Sequence, residues 1–425
     1  MPFLTDLDER AQVKGSVDPL GLVPIWSRLG REVVGNLTTV TTSVRGFTTL
    51  LLGLYFAERV QDADRSTDHS RLDLFLKFEQ MSGYARVKIN GENEAVRGVR
   101  RIKQNLNERR RVSISAAPAD QILSNQKVYG LWGLFSVAAR SSELLEPGEQ
   151  RLNSRSRQFI EDHYLPMLST ASNDGREIIH LLRKESFIFD CESDLAQRLA
   201  KVHARRLTAA EKTFYRDHLA WGGEEDSTGG RQRALAEMLT TTVDDEVGFD
   251  EVEKVKRKAE REKGDVLAMS LDRILAAERL FSPARVIFGY LQTQDSQPLD
   301  DVALRIGKEW KRSPRLNTAL LVQMRPDIAR MAGSEKAATQ WLDLVSLFEN
   351  GDYRGVVARL IDINTEVMQS RNGSSPWVAV ENGRLRVRMT DESEDRGLRS
   401  VSEAEKLWRS TYFINALALI AREVA

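Results

Sequence analysis

Arginine is concentrated in one short stretch of this sequence, and its guanidinium group is suited to binding phosphate. The segment Val96–Val112, VRGVRRIKQNLNERRRV, contains seven basic residues and one acid. On a helix, at about 100° per residue, four of the arginines share one arc and the apolar residues lie opposite. Each guanidinium offers a planar fork of donors, although a surface helix whose arginines pair with carboxylates would have the same pattern. The arc predicts phosphate or nucleic-acid contact through Arg97, Arg100, Arg101 and Arg111.

A second candidate is the hydroxyl-rich segment Val33–Val60, VVGNLTTVTTSVRGFTTLLLGLYFAERV, which leads into an apolar block. Thr42 or Ser43 could cap a helix that begins near Val44, and the free N–H groups at such a helix start favour an anion. Arg45 adds a cation and is the candidate phosphate ligand of this segment. The chain has no Walker-type phosphate loop and no dinucleotide-binding glycine fingerprint, so nucleotide binding has no specific support. Capping and packing form the competing interpretation.

The histidines and the cysteine offer weaker candidates for catalysis. Glu177 and His180 have the spacing found in carboxylate-bridged dimetal sites, but such a site needs a second motif of the same kind, which the sequence lacks. His163 also has acids beside it. The single cysteine, Cys191, lies between two carboxylates that raise the pKa of its thiol and favour an inert side chain. With no recognised catalytic motif, we expect a non-catalytic protein without metal or cofactor.

Composition limits the classes of partner. Lys+Arg and Asp+Glu are equal at 62 each, so nucleic-acid binding would have to come from a local patch rather than from the net charge. The 41% hydrophobic, 29% charged and 7% aromatic composition is typical of a helical globular protein. One cysteine fits a reducing compartment, and the acidic first ten residues are unlike a secretory signal, so we expect a cytoplasmic protein. The apolar run within Phe47–Ala57 is shorter than the roughly 20 residues that span a bilayer, so we expect no membrane contact.

The pattern of helix and turn signals predicts a mainly α, multi-helical protein of two lobes with a small C-terminal β-hairpin. An N-terminal lobe over residues 1–221 contains the arginine-rich helix, and the glycine-rich segment Gly222–Gly230 is predicted to be a linker. A C-terminal lobe follows over 231–370. Residues 371–425 are predicted to form the hairpin and a buried C-terminal helix.

Several local signals support these elements. Asn382-Gly383 can take the two positive φ values of a type I′ turn, and capping boxes are predicted at Thr208/Glu211 and Ser402/Glu405. A helix from Val266 is predicted to end at Ser282-Pro283. The acid-then-base pattern of 243–264 predicts a solvent-exposed helix. Residues 412–421 are apolar on every side of a helix and must be covered by a core or by a partner.

Two parts of the chain resemble uncharacterised bacterial proteins encoded among anti-phage defence genes. They are Asp18–Gly53, and Ser375–Met389 together with Leu407–Ala421. The resemblance implies work alongside other protein subunits, and it carries no catalytic motif that could be transferred to this chain.

Three functions remain open from the sequence. The favoured one is a non-catalytic binding or scaffold subunit of a bacterial multi-protein complex, with a role in anti-phage defence and DNA or RNA as a candidate partner. The first alternative is a metal-dependent hydrolase or nuclease that uses His180 or His163 in an unrecognised site. The second is a pure adaptor whose apolar C-terminal helix docks a partner protein.

Overall fold

A computed structural model of the chain describes residues 18–425 apart from 64–69, 92–95, 108, 171–174, 243–245, 263–264, 372 and 392–395. Within these residues the protein is mainly α, with two antiparallel sheets of two strands each. This confirms the predicted fold class and the C-terminal hairpin.

Helices account for most of the described chain. In chain order they are α1 (Val23–Arg31), α2 (Val44–Ala63), α3 (Arg71–Ala85), α4 (Val99–Leu106), α5 (Gln126–Tyr129), α6 (Leu131–Ser141), α7 (Ser154–Phe159), α8 (Leu165–Leu168), α9 (Arg176–Leu182), α10 (Asp194–Val202), α11 (Ala209–Tyr215), α12 (Arg231–Thr242), α13 (Phe249–Glu262), α14 (Asp265–Leu291), α15 (Leu299–Glu309), α16 (Thr318–Gln323), α17 (Arg325–Ala332), α18 (Glu335–Glu349), α19 (Tyr353–Ser370), α20 (Val401–Ala404) and α21 (Ile414–Val424). Three π-helical segments continue α3, α7 and α11: Arg86–Asn90, Ile160–Tyr164 and Arg216–Ala220. The strands are β1 (Arg111–Ser115), β2 (Ser186–Asp190), β3 (Val378–Glu381) and β4 (Arg384–Val387).

The chain forms two compact units, each built from two separate stretches. The first unit comprises Met1–Val33 and Asp245–Tyr412, and the second comprises Val34–Asp244 and Phe413–Ala425. The predicted linker Gly222–Gly230 does not coincide with a division between the units, because it lies inside the second unit.

Helix α2 is the centre of the second unit. It begins at Val44, where the hydroxyl-rich segment predicts a helix start, and nearly all of its side chains up to Ala57 are fully buried. It packs against α3, α6 and α9. A helix that is apolar on every side needs such neighbours on every side. No described helix combines the length and the apolar character needed to cross a bilayer.

The predicted arginine helix over Val96–Val112 is wrong in extent. Helix α4 covers only eight of these residues and follows Gly98, whose φ of 76° is left-handed. Arg111 instead opens strand β1, which pairs with β2 and alternates exposed and buried residues. In the sequence RVSIS the period of two, with Val112 and Ile114 facing inward, decides against a helix. The single arc of four arginines therefore does not form.

Two predictions in the first unit have opposite outcomes. The hairpin prediction is confirmed, because Asn382 and Gly383 have φ values of 51° and 74° and join the paired residues Glu381 and Arg384. The predicted helix end at Ser282-Pro283 is wrong, because α14 continues through Pro283. Its residues on both sides of the proline are buried, and tertiary packing outweighs the backbone hydrogen bond that proline cannot donate.

One of the two predicted capping boxes is confirmed, and the other is wrong. The Thr208/Glu211 box is present, whereas the second box joins Ser400 and Glu403 instead of the predicted pair, and it starts the short α20. Glu405 accepts hydrogen bonds from the Arg312 guanidinium instead.

The C-terminal helix begins only at Ile414 and packs against α11 and α12 within the second unit. Its apolar surface is therefore part of that unit's core.

Candidate functional site

The start of α2 and one residue of the arginine cluster line the same cavity in the second unit. The cavity has a volume of about 320 Å³. Thr42 and Ser43 line it from the segment before α2, and Gly46 lines it from the first turn of that helix. Arg97 lines it as well, and its Nη2 donates to the carbonyl oxygen of Val40 at 3.3 Å. Two segments that the sequence singled out separately therefore meet here.

Two cations and two carboxyl groups set the charge in and around this cavity. Glu423 does not line it, but its carboxylate accepts hydrogen bonds from the backbone N–H of Val44 at 2.7 Å and from the side chain of Ser43, and it interacts with the charge of Arg86. Arg86, which is buried, lines the cavity with Arg97 and Glu79. Burial raises the pKa of Glu79 to about 7, although hydrogen bonds from the backbone N–H of Leu131 and the side chain of Gln126, both 2.7 Å, oppose that rise. Near neutral pH the carboxyl group of Glu79 is therefore only partly ionised, and the two guanidinium groups dominate.

A buried histidine lies behind two hydroxyl groups of the cavity wall. The Nε2 atom of His203 is 3.0 Å from the hydroxyl of Thr49 and 3.2 Å from that of Ser82. Nδ1 lies 2.7 Å from the carbonyl oxygen of Leu199, which can only accept, so Nδ1 carries the proton and Nε2 is an acceptor. Burial lowers the pKa of His203 well below its ordinary value, which keeps the ring neutral. Thr49 donates its hydroxyl proton to the carbonyl oxygen of Arg45 at 2.9 Å. The single lone pair of Nε2 therefore accepts from Ser82, and the neutral ring adds no charge.

Arg45, the other predicted phosphate ligand, does not line this cavity. Its guanidinium is buried, forms an ion pair with Glu211, and donates from Nε to the carbonyl oxygen of Ala204 at 2.8 Å. The structure therefore supplies Arg45 with internal acceptors.

The remaining predicted arginines lie on exposed surface. Arg100 and Arg101 are on α4, and Arg101 donates from Nη1 to the carbonyl oxygen of Gln121 at 2.7 Å. Arg111 lies on β1 with its Nε 3.6 Å from a carboxylate oxygen of Asp190. Of the predicted arginines, only Arg97 both lines the cavity and lies next to α4 in the sequence.

The candidates for catalysis are separate from this cavity. His180 is exposed on α9, and its neighbour Glu177 pairs with Arg198 at 2.6 Å. Among the residues that the structure describes, no group of three or more His, Cys, Asp or Glu side chains could hold a metal ion. Cys191 is buried, and burial together with the charge of Asp190 raises the pKa of its thiol to about 12. The direction agrees with the sequence-based expectation, but burial is the larger cause.

Sequence reasoning missed Glu79, Ser82 and Arg86. Their signal is weak: polar residues interrupt the apolar segment LFLKFEQMSGYARV on α3 and its π-helical continuation. Buried charged residues are uncommon unless they are paired or bind something, and that rule could have drawn attention to Glu79 and Arg86.

Comparisons of this chain with protein-family models, with curated proteins and with solved structures found no match.

Proposed function

We propose that this chain is a non-catalytic binding subunit of a bacterial multi-protein complex, and that it contacts nucleic acid through phosphate. The observation that carries the proposal is the shared cavity of Arg97 and the start of α2. Arg45 and Arg111 are left out of the proposed contact, because the first is paired in the interior and the second lies on β1 beside Asp190.

The chemistry of the cavity suits an oxyanion. Arg86 and Arg97 offer charged donors, and Thr42 and Ser43 offer hydroxyls beside the N-terminal end of the 20-residue helix α2. Guanidinium donors favour negative charge. The N-terminal end of α2 adds little to this, because the carboxylate of Glu423 already accepts a hydrogen bond from the backbone N–H of Val44 at 2.7 Å. A volume of about 320 Å³ is at the small end of ligand pockets and holds a phosphate group with part of its attached sugar.

The surface next to the cavity extends the positive charge. Arg100 and Arg101 are exposed on α4, three and four residues after Arg97 in the chain. A phosphate backbone carries repeated charges, so one anion held in the cavity and further phosphates beside α4 would be contacted together. This favours a polymer over a small anion as the ligand.

The proposed assembly with other subunits rests on the resemblance to proteins encoded among anti-phage defence genes. The adaptor alternative is less favoured, because the apolar face of α21, predicted to dock a partner, is buried against α11 and α12. Purification of the tagged protein from its own bacterium, followed by mass spectrometry at two salt concentrations, should return stoichiometric partner proteins. A protein that elutes alone under both conditions would contradict the assembly.

Charge reversal tests the nucleic-acid contact. The variant combines Arg97→Glu, Arg100→Glu and Arg101→Glu, and binding to labelled single-stranded DNA, double-stranded DNA and RNA is measured by fluorescence polarisation over a salt series. We expect affinity to fall at least tenfold, and the slope of log K against log salt to decrease by roughly 0.9 for each lost contact.

A charge-matched control reverses Arg257, Arg330 and Arg354, which are exposed in surface ion pairs of the first unit. It should bind as the parent protein does. Equal loss in both triple variants, or no binding by the parent at low salt, would overturn the nucleic-acid contact.

A further inference from the structure

A larger cleft in the second unit shares no lining residue with the arginine-lined cavity, and it has a volume of about 1070 Å³. Its walls come from α7 and α11 with their π-helical continuations, and from the glycine-rich loop that leads into α12. This loop is the segment Gly222–Gly230. It is fixed by Asp226, whose carboxylate accepts hydrogen bonds from the backbone N–H groups of Thr228 and Gly230 at 2.9 and 2.8 Å.

His218 provides an unused acceptor in the wall of this cleft. The residue is only 3% exposed, and its Nδ1 lies 2.9 Å from the carbonyl oxygen of Ser142. A carbonyl can only accept, so Nδ1 carries a proton, and burial lowers the pKa of the ring and keeps it neutral. Nε2 is therefore an acceptor, and it makes no hydrogen bond to any residue that the structure describes.

A chain of hydrogen bonds outside the cleft fixes the position of His218. The side-chain amide of Asn36 donates to the Ser142 hydroxyl at 2.9 Å and to the carbonyl oxygen of His218 at 2.9 Å. Gln232 donates in turn to the side-chain oxygen of Asn36 at 2.7 Å. A side chain supported in this way keeps its orientation when a ligand binds, which reduces the entropic cost of binding.

A flat cation lies in the same wall. The guanidinium carbon of Arg233 lies 3.9 Å from the centre of the Trp221 ring, and that of Arg216 lies 4.5 Å from it. Arg233 lines the cleft, and its side chain is 55% exposed. Its Nε donates to the carboxylate of Glu237 at 3.1 Å. The exposed part of the guanidinium plane beside Trp221 can stack on a planar ligand.

The rest of the cleft favours a ligand moiety with apolar faces and no net charge, so that a charged group on the same ligand, such as the phosphate of a nucleotide, is expected to remain outside the lining. Phe159 and Phe214 are stacked at 3.9 Å, and both line the cleft. At the rim, Arg155 and Glu224 neutralise each other in an ion pair of 2.8 Å. An ion of either sign would have to break such pairs, whereas a neutral ring would not.

We propose that this cleft binds a nucleobase, with the ring stacked on Arg233 and an amino group of its edge donating to Nε2 of His218. Nucleobases combine flat apolar faces with N–H donors on the edge, which is the combination that the cleft complements. The base can belong to a free nucleotide or to a single strand. The inference goes beyond the proposed phosphate contact and depends on different residues.

Calorimetric titration with AMP, with ribose 5-phosphate and with an adenine octanucleotide tests the proposal in the full-length protein. We expect AMP and the octanucleotide to bind at this cleft. Ribose 5-phosphate lacks a base, so it should bind only through the arginine-lined cavity, and its binding should be lost in the Arg97, Arg100 and Arg101 triple variant. Two conservative variants define the site. His218→Asn keeps a donor for the Ser142 carbonyl and removes the acceptor at the position of Nε2, and Arg233→Lys keeps the charge and removes the plane.

Each variant should weaken AMP binding at least fivefold at an unchanged melting temperature. If His218→Asn also lowers the melting temperature, the more exposed Arg233→Lys decides the outcome. Binding of the octanucleotide alone, weakened by both variants, would identify a strand as the source of the base. The proposal is overturned if no base-containing ligand binds, or if both variants bind as tightly as the parent. The Arg97, Arg100 and Arg101 triple variant should keep AMP binding, which separates failure of this site from failure of the phosphate contact.

Discussion

Arg45 and Glu211 form an ion pair inside the second unit, with side-chain exposures of only 7% and 4%. Glu211 also accepts hydrogen bonds from the backbone N–H of Thr208 at 2.7 Å and from the hydroxyl of Tyr164 at 2.9 Å. One carboxylate therefore caps α11 and neutralises the cation at the start of α2. The anion that the sequence suggested for Arg45 is supplied by the protein itself.

Loss of this carboxylate should destabilise the second unit strongly. Glu211→Ala leaves the guanidinium of Arg45 buried without its counter-charge, and breaking a buried pair in this way costs about 3–5 kcal/mol. Urea unfolding followed by hydrogen exchange, resolved by peptide, measures the loss in the second unit separately from the first. The control Glu224→Ala removes an exposed partner of Arg155 and should leave the free energy of unfolding nearly unchanged, because exposed ion pairs contribute little to stability. Similar losses in the two variants would contradict a special role for the buried pair.

The buried carboxyl group of Glu79 should make the second unit less stable as the pH rises through the neutral range. Its folded pKa of about 7 lies above the ordinary value of 4.5. The unfolded chain releases this proton first, so its contribution to stability is complete below about pH 4.5 and is lost progressively up to about pH 7. At 1.36 kcal/mol per pKa unit, the loss is roughly 3 kcal/mol.

Glu79→Gln tests this dependence, because glutamine has a similar shape and does not titrate. The difference in free energy of unfolding between parent and variant is measured at pH 5, 6, 7 and 8, which cancels the contributions of other groups. It should change in favour of the variant between pH 5 and pH 7 and then become constant. A difference that does not vary with pH would show that Glu79 is ionised throughout.

The elements that could be predicted from the sequence are those determined by nearby residues. The start of α2 at Val44, the Thr208/Glu211 box and the turn at Asn382 each depend on residues within a few positions of one another. Their signals are therefore present in short stretches of sequence.

The candidate site depends on contacts between distant residues, and these carry no local signal. Arg45 pairs with Glu211, which lies 166 residues away in the sequence. The pairing of β1 with β2 joins Arg111 to Asp190 and ends the arginine helix that the local pattern favoured. The cavity needs Arg86 and Arg97 to meet the start of α2, and periodicity cannot say which faces of different helices converge.

The thiol of Cys191 should be unreactive in the folded protein. Burial and the neighbouring Asp190 raise its pKa to about 12, and the thiolate is the reactive form. At pH 8 a disulfide reagent such as DTNB should modify the native protein only as fast as it opens, and it should titrate one thiol in denaturant. A Ser113→Cys variant carries an exposed thiol on the adjacent strand and provides the positive control. Labelling of Cys191 within tenfold of that rate would contradict the prediction.

Gly30 and Gly289 should respond to alanine with opposite signs, although both lie in helices. Alanine normally stabilises a helix interior over glycine by roughly 0.5–1 kcal/mol. At Gly30 the added methyl carbon would lie 2.6 Å from the carbonyl oxygen of Tyr412 and 2.9 Å from its Cα. Those atoms are backbone and cannot rotate away, so Gly30→Ala should destabilise the first unit by about 1–3 kcal/mol. At Gly289 the nearest atom of any described residue is the Cα of Arg396, 3.9 Å away, and alanine should be stabilising. Peptide-resolved hydrogen exchange on both variants measures the two effects. Stabilisation by Gly30→Ala would show that the Tyr412 backbone moves aside, and destabilisation by Gly289→Ala would contradict the prediction at that position.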